Sequence, residues 1–367
     1  MRINFHGRLE DRPEVRAGFI GCGSHSFRNI YPTFQFAPVR LVATCDLSLE
    51  KAEAFAEKFG AIRAYQDYRE MLRNDAIEAV FIVTGYDKKG KPLYPRMAVD
   101  SLEAGKHVWM EKPPADSCRE IERIQAAAAR AKKNVMVGLK KMFFPANEKA
   151  RELAYKKEFG KISLVLLQYP QHIPSVQEFR RCRRQGRLTD GVRGFLDHLC
   201  HPASLLIYLL GMPSSLYYQR SASGAGNALF SFKSRATASL AMTAGSARNG
   251  GMESTTIVSD SGRHVVVDNN VRVSYHRDAF GGYGDVPSAY GGEPERTTAY
   301  WEPEFSLGQL YNKGLFLLGY YNEVNEFARS ILEKRLPAKG TLTHAWQVTR
   351  LFEAFAQGPN KLISLRE

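Results

Sequence analysis

The sequence predicts two α/β domains: a doubly wound parallel sheet in residues 1–139, and an open, mainly antiparallel sheet with helices in residues 140–367. Up to residue 139, short apolar runs alternate with helical patterns, as in parallel sheets that helices cover on both faces. From about residue 161, strand-like runs follow one another with short turns, which is typical of an antiparallel sheet. A chain of 367 residues with 44% hydrophobic content can bury two cores.

The amino-terminal domain combines short apolar strands with capped helices. Ser48 is predicted to be the N-cap of a helix that runs to Phe59, and Gly60 follows as its C-cap. A second helix is predicted over residues 116–133. The strands are predicted at 15–20, 39–45, 79–84, 108–110 and 135–137. This order predicts a Rossmann-type domain.

The carboxy-terminal domain is predicted to carry helices on one face of its sheet. Its strands are predicted at 162–168, 216–220, 228–232, 236–242, 255–258, 265–267 and 271–275, and its helices at 200–210, 318–333 and 343–357. The stretch 280–303 is rich in glycine and aromatic residues and long for a connection. We interpret it either as a lid or subunit contact or as a mobile loop.

The net charge of +13 is compatible with a nucleic acid, an anionic lipid or an acidic substrate. No nucleic-acid-binding motif accompanies the charge, so we expect no nucleic-acid partner. The densest run consists of Arg180, Arg181, Arg183, Arg184 and Arg187. We interpret it either as a solvated or partner-facing loop or as a recognition element for an acidic substrate group.

Cysteine usage and hydropathy predict a cytoplasmic protein without membrane contact. The five cysteines are scattered and form no CxxC pair, which argues against a disulfide framework or a zinc knuckle. The polar amino terminus has no apolar signal core. No apolar run approaches the roughly 18 residues that span a bilayer.

A glycine turn after the first strand predicts a dinucleotide site. Gly21 permits the tight turn, Gly23 allows the backbone to approach a pyrophosphate, and Ser26 stands where the fingerprint has its third glycine. The following helix start offers N–H groups to the phosphates. Asp46 ends the second strand, where a carboxylate binds the ribose 2′-hydroxyl or simply caps the next helix. Because a carboxylate repels a 2′-phosphate, we predict NAD as the cofactor.

Glu111-Lys112-Pro113 closes the strand at 107–110, at the edge where doubly wound sheets bind ligands. A lysine ammonium at that edge can hold a substrate hydroxyl and favour its alkoxide. The position of Lys112 therefore predicts an enzyme.

Asp197 and His201 form a second cluster, directly before an apolar helical run. At i and i+4 of a helix they share a face, and Pro202 is tolerated if it lies in the first turn. A carboxylate beside an imidazole raises its basicity, which suits transfer of a hydroxyl proton. The alternatives are a capping aspartate with a packed histidine, or a metal site that includes His198. We predict no metal, since neighbours on a helix cannot both point at one ion.

Together these motifs resemble the Gfo/Idh/MocA oxidoreductase family, named for glucose–fructose oxidoreductase, inositol dehydrogenase and a rhizopine-catabolism protein. Residues 104–113, AGKHVWMEKP, are similar to the family signature AGKHVxxEKP. Residues 79–84, Val137-Gly138 and Asp197-x-x-x-His201 also match family motifs. The resemblance implies a Rossmann domain joined to an α/β domain whose open sheet forms an oligomer interface, here in a homodimer or homotetramer.

The resemblance also implies roles for individual residues. Lys112 matches the catalytic, substrate-binding lysine, and Asp197 and His201 match the aspartate–histidine pair that moves the hydroxyl proton. Glu111 is expected to orient Lys112 or to lie near the nicotinamide. The predicted cofactor-binding residues are Gly21, Gly23, Ser24, His25, Ser26, Asp46, Thr84, Glu111 and Lys112, and the predicted substrate-binding residues are Lys112, Lys140, Arg180, Arg184, Asp197 and His201.

Two segments depart from the family pattern. Thr84 is followed by Gly85-Tyr86 and a basic insertion at 87–92, and Tyr94 stands where the family has a histidine. Lys140-Lys141-Met142 replaces an arginine-containing run. Because both segments shape the pocket, the substrate of the nearest relatives does not transfer to this chain.

Three functions fit these motifs. The favoured one is an NAD-dependent oxidoreductase acting on a secondary alcohol or ketone of a sugar, cyclitol or sugar derivative. The alternatives are an enzyme that recycles tightly bound NAD during glycoside cleavage or epimerisation, and a non-catalytic sugar or dinucleotide sensor.

Overall fold

A computed structural model describes residues 13–244, 252–277, 298–302 and 313–365. These residues form two compact units. The first contains the described parts of 1–143, 186–188 and 312–350, and the second those of 144–185, 189–311 and 351–367. The domain limits of 1–139 and 140–367 stay a prediction. In the structure, the helical segment 312–350 belongs to the first compact unit.

The first unit contains a six-stranded parallel sheet with the order β3-β2-β1-β4-β5-β6. Its strands are β1 (Val15–Ile20), β2 (Val39–Cys45), β3 (Arg63–Tyr65), β4 (Ala79–Ile82), β5 (His107–Met110) and β6 (Val135–Val137). The residues of β4 are buried on both faces, as a helix-covered parallel sheet requires. This order reverses direction between β1 and β4, and ligands bind at such a switch point in doubly wound folds. The predicted doubly wound sheet is confirmed.

The helices of the first unit are α1 (Leu49–Phe59), α2 (Tyr68–Leu72), α3 (Tyr94–Glu103), α4 (Cys118–Ala131), α8 (Lys313–Leu317) and α9 (Tyr320–Leu332). The caps predicted for α1 are present, since the Ser48 side chain accepts a hydrogen bond from the Lys51 N–H and Gly60 adopts a left-handed conformation. The helix after β1 is irregular: a π-helical turn, Ser26–Ile30, leads into a 3₁₀ turn, Tyr31–Gln35. Helix α9 packs against both turns and β1.

The second unit contains a nine-stranded sheet with the order β14-β13-β12-β11-β7-β10-β9-β8-β15. Its strands are β7 (Ile162–Tyr169), β8 (Ser215–Arg220), β9 (Gly226–Ser231), β10 (Thr237–Met242), β11 (Ser254–Ser259), β12 (His264–Asp268), β13 (Arg272–His276), β14 (Thr298–Trp301) and β15 (Ile363–Ser364). Only β7 and β10 pair in parallel among these described strands. The predicted open, mainly antiparallel sheet is confirmed.

The second unit includes α5 (Pro145–Ala154), α6 (Val176–Gln185) and α7 (Asp190–Leu210), and α10 (Leu342–Phe355) ends in it. Helix α7 begins ten residues before the predicted start at 200. Pro202 therefore lies inside the helix and not in its first turn, so the condition under which we expected it to be tolerated is not met. We predicted only the strongly apolar second half of this helix. In the first half, polar residues separate the buried Val192, Phe195 and Leu196, so no continuous apolar run marks it.

Several other expectations can be placed on the structure. All five cysteines are free thiols in buried positions. Within the described ranges, no helix is both long and apolar enough to cross a membrane. Apart from 298–302, the stretch 280–303 that we interpreted as a lid, contact or loop lies outside the described residues.

Candidate active site

The glycine turn lies at the switch point of the first sheet. Gly21 follows β1 with φ +107°, and a Cβ atom there would lie 1.9 Å from the Val83 carbonyl oxygen, just beyond β4. Position 21 therefore requires glycine for both its conformation and its contact. A Cβ atom on Gly23 would meet no described atom within 4 Å, so the turn leaves room beside its backbone.

Asp46 holds the glycine turn and the start of α1 together. Its Oδ2 accepts a hydrogen bond from the Cys22 N–H at 2.9 Å, and its Oδ1 accepts one from the Ser48 N–H at 3.0 Å. The capping alternative is thus partly realised, although Ser48 is the N-cap residue itself. A carboxylate offers about four lone-pair sites, so Asp46 retains capacity for ribose hydroxyls.

Ser24, His25 and Ser26 form the start of the helix after the turn. Ser26 is fully buried, and its Oγ has no hydrogen-bond partner among the described residues. The tight turn and the open space at Gly23 fit a bound dinucleotide. These residues would hold its pyrophosphate through backbone N–H groups at a helix start.

Glu111 connects the helix start to Lys112. Its Oε1 lies 2.9 Å from His25 Nε2, and its Oε2 accepts the Lys112 backbone N–H at 2.9 Å. The Asn29 amide lies 3.1 Å from His25 Nδ1; if it donates there, Nε2 carries the proton that faces Glu111. Burial acts to raise the pKa of Glu111, but the His25 hydrogen bond and nearby lysines hold that pKa below its ordinary value.

Lys112 is half-buried at the carboxyl end of β5, where the sequence placed it. Its backbone N–H donates to the Glu111 carboxylate, and its peptide bond to Pro113 is cis. Gly138 lies close by, since a Cβ atom there would approach the Glu111 carboxyl carbon to 3.4 Å. Glu111, directly after β5, and Gly138, directly after β6, therefore lie next to each other.

Lys140 contacts Tyr320, a residue that we did not predict to lie in the site. Its Nζ donates to the Tyr320 hydroxyl at 2.9 Å and lies 4.7 Å from the centre of that ring. Tyr320 and Glu323 occupy the first turn of α9 and are both buried. Glu323 stands among apolar residues on one face of the predicted helix 318–333, and such a lone carboxylate matches no sequence motif.

The segment after β4 also departs from the family pattern in a defined way. Tyr94 is buried at the start of α3, and its hydroxyl donates to the Thr84 carbonyl at 2.6 Å. Tyr86 pairs with Pro92 across the basic insertion, and the Lys91 ammonium contacts Asp116 at 2.8 Å. The insertion is thus a folded turn whose ends are fixed on the first unit.

The second unit carries the other predicted catalytic residues on α7. Asp197 and His201 lie four residues apart in this helix, as predicted, and therefore share a face. The His201 ring centre lies 6.2 Å from that of Tyr169, at the end of β7. Burial, together with Glu253 and Asp197, raises the pKa of Tyr169, so its phenol stays neutral.

His198, Arg180 and Arg184 are exposed in the same unit. His198 Nε2 lies 3.9 Å from Asp197 Oδ2, and the described residues contain no group of three or more candidate metal ligands. The two arginines lie on the solvent side of α6, opposite the buried Phe179 and Cys182. Their role toward an acidic substrate stays a prediction.

The switch-point turn, with a carboxylate after β2, is the arrangement of dinucleotide-binding Rossmann domains, and the first unit is of this class. Residues 15–139 match the model of an oxidoreductase family with an NAD-binding Rossmann fold, GFO_IDH_MocA. This match over the residues of the first unit confirms the resemblance to the Gfo/Idh/MocA family.

Similar proteins agree with this assignment. The trans-1,2-dihydrobenzene-1,2-diol dehydrogenase of Mus musculus is 26% identical over 172 residues, covering 46% of this chain and 50% of that protein. The scyllo-inositol 2-dehydrogenase (NADP(+)) IolU of Bacillus subtilis is 28% identical over 166 residues, covering 45% and 48%. The chain thus spans about half the length of these curated relatives.

A solved structure shows the same fold over nearly the whole chain. The dehydrogenase from Chromobacterium violaceum superposes with a TM-score of 0.77 at 23% identity, covering 94% of this chain and 95% of that one. At this identity the similarity concerns the fold.

Proposed function

We propose that this protein is an NAD-dependent oxidoreductase that interconverts a secondary alcohol and a ketone on a sugar, cyclitol or sugar derivative. The observation that carries the proposal is the Glu111–Lys112 pair, which places a lysine backbone on a buried carboxylate at the ligand-binding edge of the sheet. The names of the relatives, which act on a dihydrodiol and an inositol, agree with this substrate class.

Each catalytic residue has a distinct role in the proposed reaction. A bound nicotinamide ring supplies the hydride acceptor or donor. Lys112 holds the substrate hydroxyl and stabilises the alkoxide that develops on it. His201 takes the hydroxyl proton, and Asp197, one helical turn earlier, favours the protonated imidazole.

NAD is the proposed cofactor because Asp46 presents a carboxylate where the ribose binds. A carboxylate accepts hydrogen bonds from ribose hydroxyls and repels a 2′-phosphate. IolU carries NADP(+) in its name, so cofactor choice varies among similar proteins and is best tested directly at Asp46.

The decisive experiment measures NAD and turnover together. Purified protein is denatured, released NAD is quantified, and native protein is screened with sugars and cyclitols for net NADH formation. Stoichiometric NADH formation with exchangeable NAD supports the dehydrogenase. Retained NAD with substrate conversion but no net NADH identifies the recycling enzyme, while binding without conversion identifies the sensor.

A further inference from the structure

His25 lies at the start of the helix after the glycine turn, and 42% of its side chain is exposed. The dinucleotide fingerprint leaves its identity open, because position 25 is one of the two variable positions between Gly23 and Ser26. An exposed imidazole here is compatible with the predicted direct contact to the cofactor or with a role toward other side chains. The contacts of its two ring nitrogens distinguish these roles.

Both ring nitrogens of His25 are engaged by side chains of the first unit. Nε2 lies 2.9 Å from Glu111 Oε1, and it is the donor because an ionised carboxylate can only accept a hydrogen bond. Nδ1 lies 3.1 Å from the amide nitrogen of Asn29, one helical turn later. The imidazole therefore has no N–H group left for a phosphate, although part of the ring is exposed.

Glu111 is the residue that His25 orients. Only 5% of the Glu111 side chain is exposed, and its Oε2 accepts the Lys112 backbone N–H at 2.9 Å. One buried carboxylate thus joins the His25 ring to the backbone of Lys112. Without His25, Oε1 would lose its hydrogen bond in a buried position, which costs more than a lost hydrogen bond at the surface.

Tyr320, at the start of α9, holds the His25 ring from a second side. The two ring centres lie 5.8 Å apart with an angle of 70° between the planes, which is the edge-to-face arrangement that aromatic pairs prefer. Tyr320 is itself fixed, since it is 3% exposed and its hydroxyl accepts a hydrogen bond from the Lys140 ammonium at 2.9 Å. The carboxy-terminal segment of the first unit therefore supports the imidazole.

We propose that His25 is a positioning residue that orients Glu111 and, through it, the Lys112 backbone. Tyr320 keeps the imidazole in place for this role. The inference rests on the proposed function only in taking NAD as the ligand that binds beside Lys112. Because hydride would pass between the nicotinamide ring and a substrate held by Lys112, loss of His25 should affect the nicotinamide end of NAD and not its pyrophosphate.

Calorimetric titration with NAD⁺ and with ADP-ribose, which lacks the nicotinamide, separates positioning from a direct phosphate contact. The proteins are the wild type, His25→Leu, which removes the donor, and His25→Gln, which keeps an amide N–H. We expect His25→Leu to weaken NAD⁺ binding about tenfold, the scale of a lost hydrogen bond to a charged group, with ADP-ribose affinity unchanged. His25→Gln should restore most of the loss. Equal losses for both ligands, no loss in His25→Leu, or a glutamine variant as weak as the leucine variant overturn the proposal.

The role of Tyr320 is tested with the tyrosine beside it as the control. Tyr321 contacts Phe36 and Phe316. We expect Tyr320→Leu to lose NAD⁺ affinity selectively, Tyr320→Phe to stay closer to the wild type because it keeps the ring, and Tyr321→Leu to bind like the wild type. Combining His25→Leu with Tyr320→Leu should weaken binding no further than His25→Leu alone, because both changes act through one contact. Additive losses, or an equal loss in the control, overturn the role of Tyr320.

Nuclear magnetic resonance of ¹⁵N-labelled histidine tests the positioning without any ligand. The His25 signal is assigned by its absence in His25→Gln. We expect Nε2 to carry a proton in the wild type, and its signal to shift in Tyr320→Leu but not in Tyr321→Leu. A bare Nε2, or a signal that stays unchanged in Tyr320→Leu, overturns the proposal.

The two proposals fail separately. If the wild type binds neither NAD⁺ nor ADP-ribose, the proposed function fails, while the histidine spectra still decide the role of His25. If Tyr320→Leu does not fold, the His25 titrations and the wild-type spectrum decide it.

Discussion

Replacing Glu323 by glutamine should alter how the stability of the first unit depends on pH. Glutamine keeps the shape and the neutral donor of the protonated acid, so the two proteins should be similarly stable in mild acid. In the unfolded chain Glu323 loses its proton near its ordinary pKa of 4.5, whereas the folded protein holds that proton well above it. Raising the pH between these values favours unfolding of the wild type only.

The magnitude follows from proton linkage. One proton bound in the folded state and released on unfolding costs about 1.4 kcal/mol of stability per pH unit. At pH values between the ordinary pKa of 4.5 and the raised pKa of the folded state, the stability of Glu323→Gln should therefore rise by this amount per pH unit relative to the wild type.

Urea unfolding at pH 6, 7 and 8 measures this difference, followed by tryptophan fluorescence, to which the buried Trp109 of β5 contributes. Other titrating groups cancel because the two proteins are compared at equal pH, and Glu333→Gln serves as the matched control. A stability difference that stays constant or falls as the pH rises would refute the reasoning.

Three further outcomes are expected. Lys112→Ala and His201→Ala should each lower kcat at least about 10²-fold, through loss of charge stabilisation or proton transfer. The control variants Lys88→Ala and His198→Ala change exposed residues and should leave kcat unchanged. Near-normal turnover of the true substrate by Lys112→Ala and His201→Ala would contradict the catalytic roles. Asp46→Asn should reduce the preference for NAD⁺ over NADP⁺ about tenfold, the scale of one charge-assisted hydrogen bond; an unchanged ratio in fluorescence titrations would place the selectivity elsewhere. If an acidic substrate group binds α6, Arg180→Ala and Arg184→Ala should raise KM with kcat unchanged; an unaffected KM would assign these arginines to the solvated surface.

The sequence predicted both sheets because each has a strong periodic signal. Strands β1, β2 and β6 have the predicted bounds, because a mainly apolar run flanked by turns leaves little choice of where a strand begins and ends. Strands β3, β14 and β15 were missed: each has four residues or fewer. Unlike β6, which is as short but apolar and buried throughout, these strands have no continuous apolar run, so only pairing with a neighbour defines them.

The candidate site was only partly accessible to sequence reasoning. Motifs located Lys112, Asp46 and the glycine turn, because each stands at a strand end where topology fixes its place. The contact between His25 and Glu111 spans 86 positions and depends on how the irregular helix after β1 turns. We did not predict Glu323 as a site residue, because a lone carboxylate among apolar residues matches no motif. Its protonation state depends on the residues that surround it in the fold.

The return of residues 312–350 to the first unit has a consequence for biosynthesis. Phe36 stacks edge-on with Phe316 at 5.1 Å, Phe81 meets Phe327 at 5.5 Å, and the Val137 N–H bonds to the Gly340 carbonyl at 2.7 Å. A ribosome must therefore synthesise almost the entire second unit before the first can close its core. A gene fragment that ends at residue 143 would encode an incomplete nucleotide-binding unit with uncovered aromatic rings, so an independently folding version needs both of its distant segments joined.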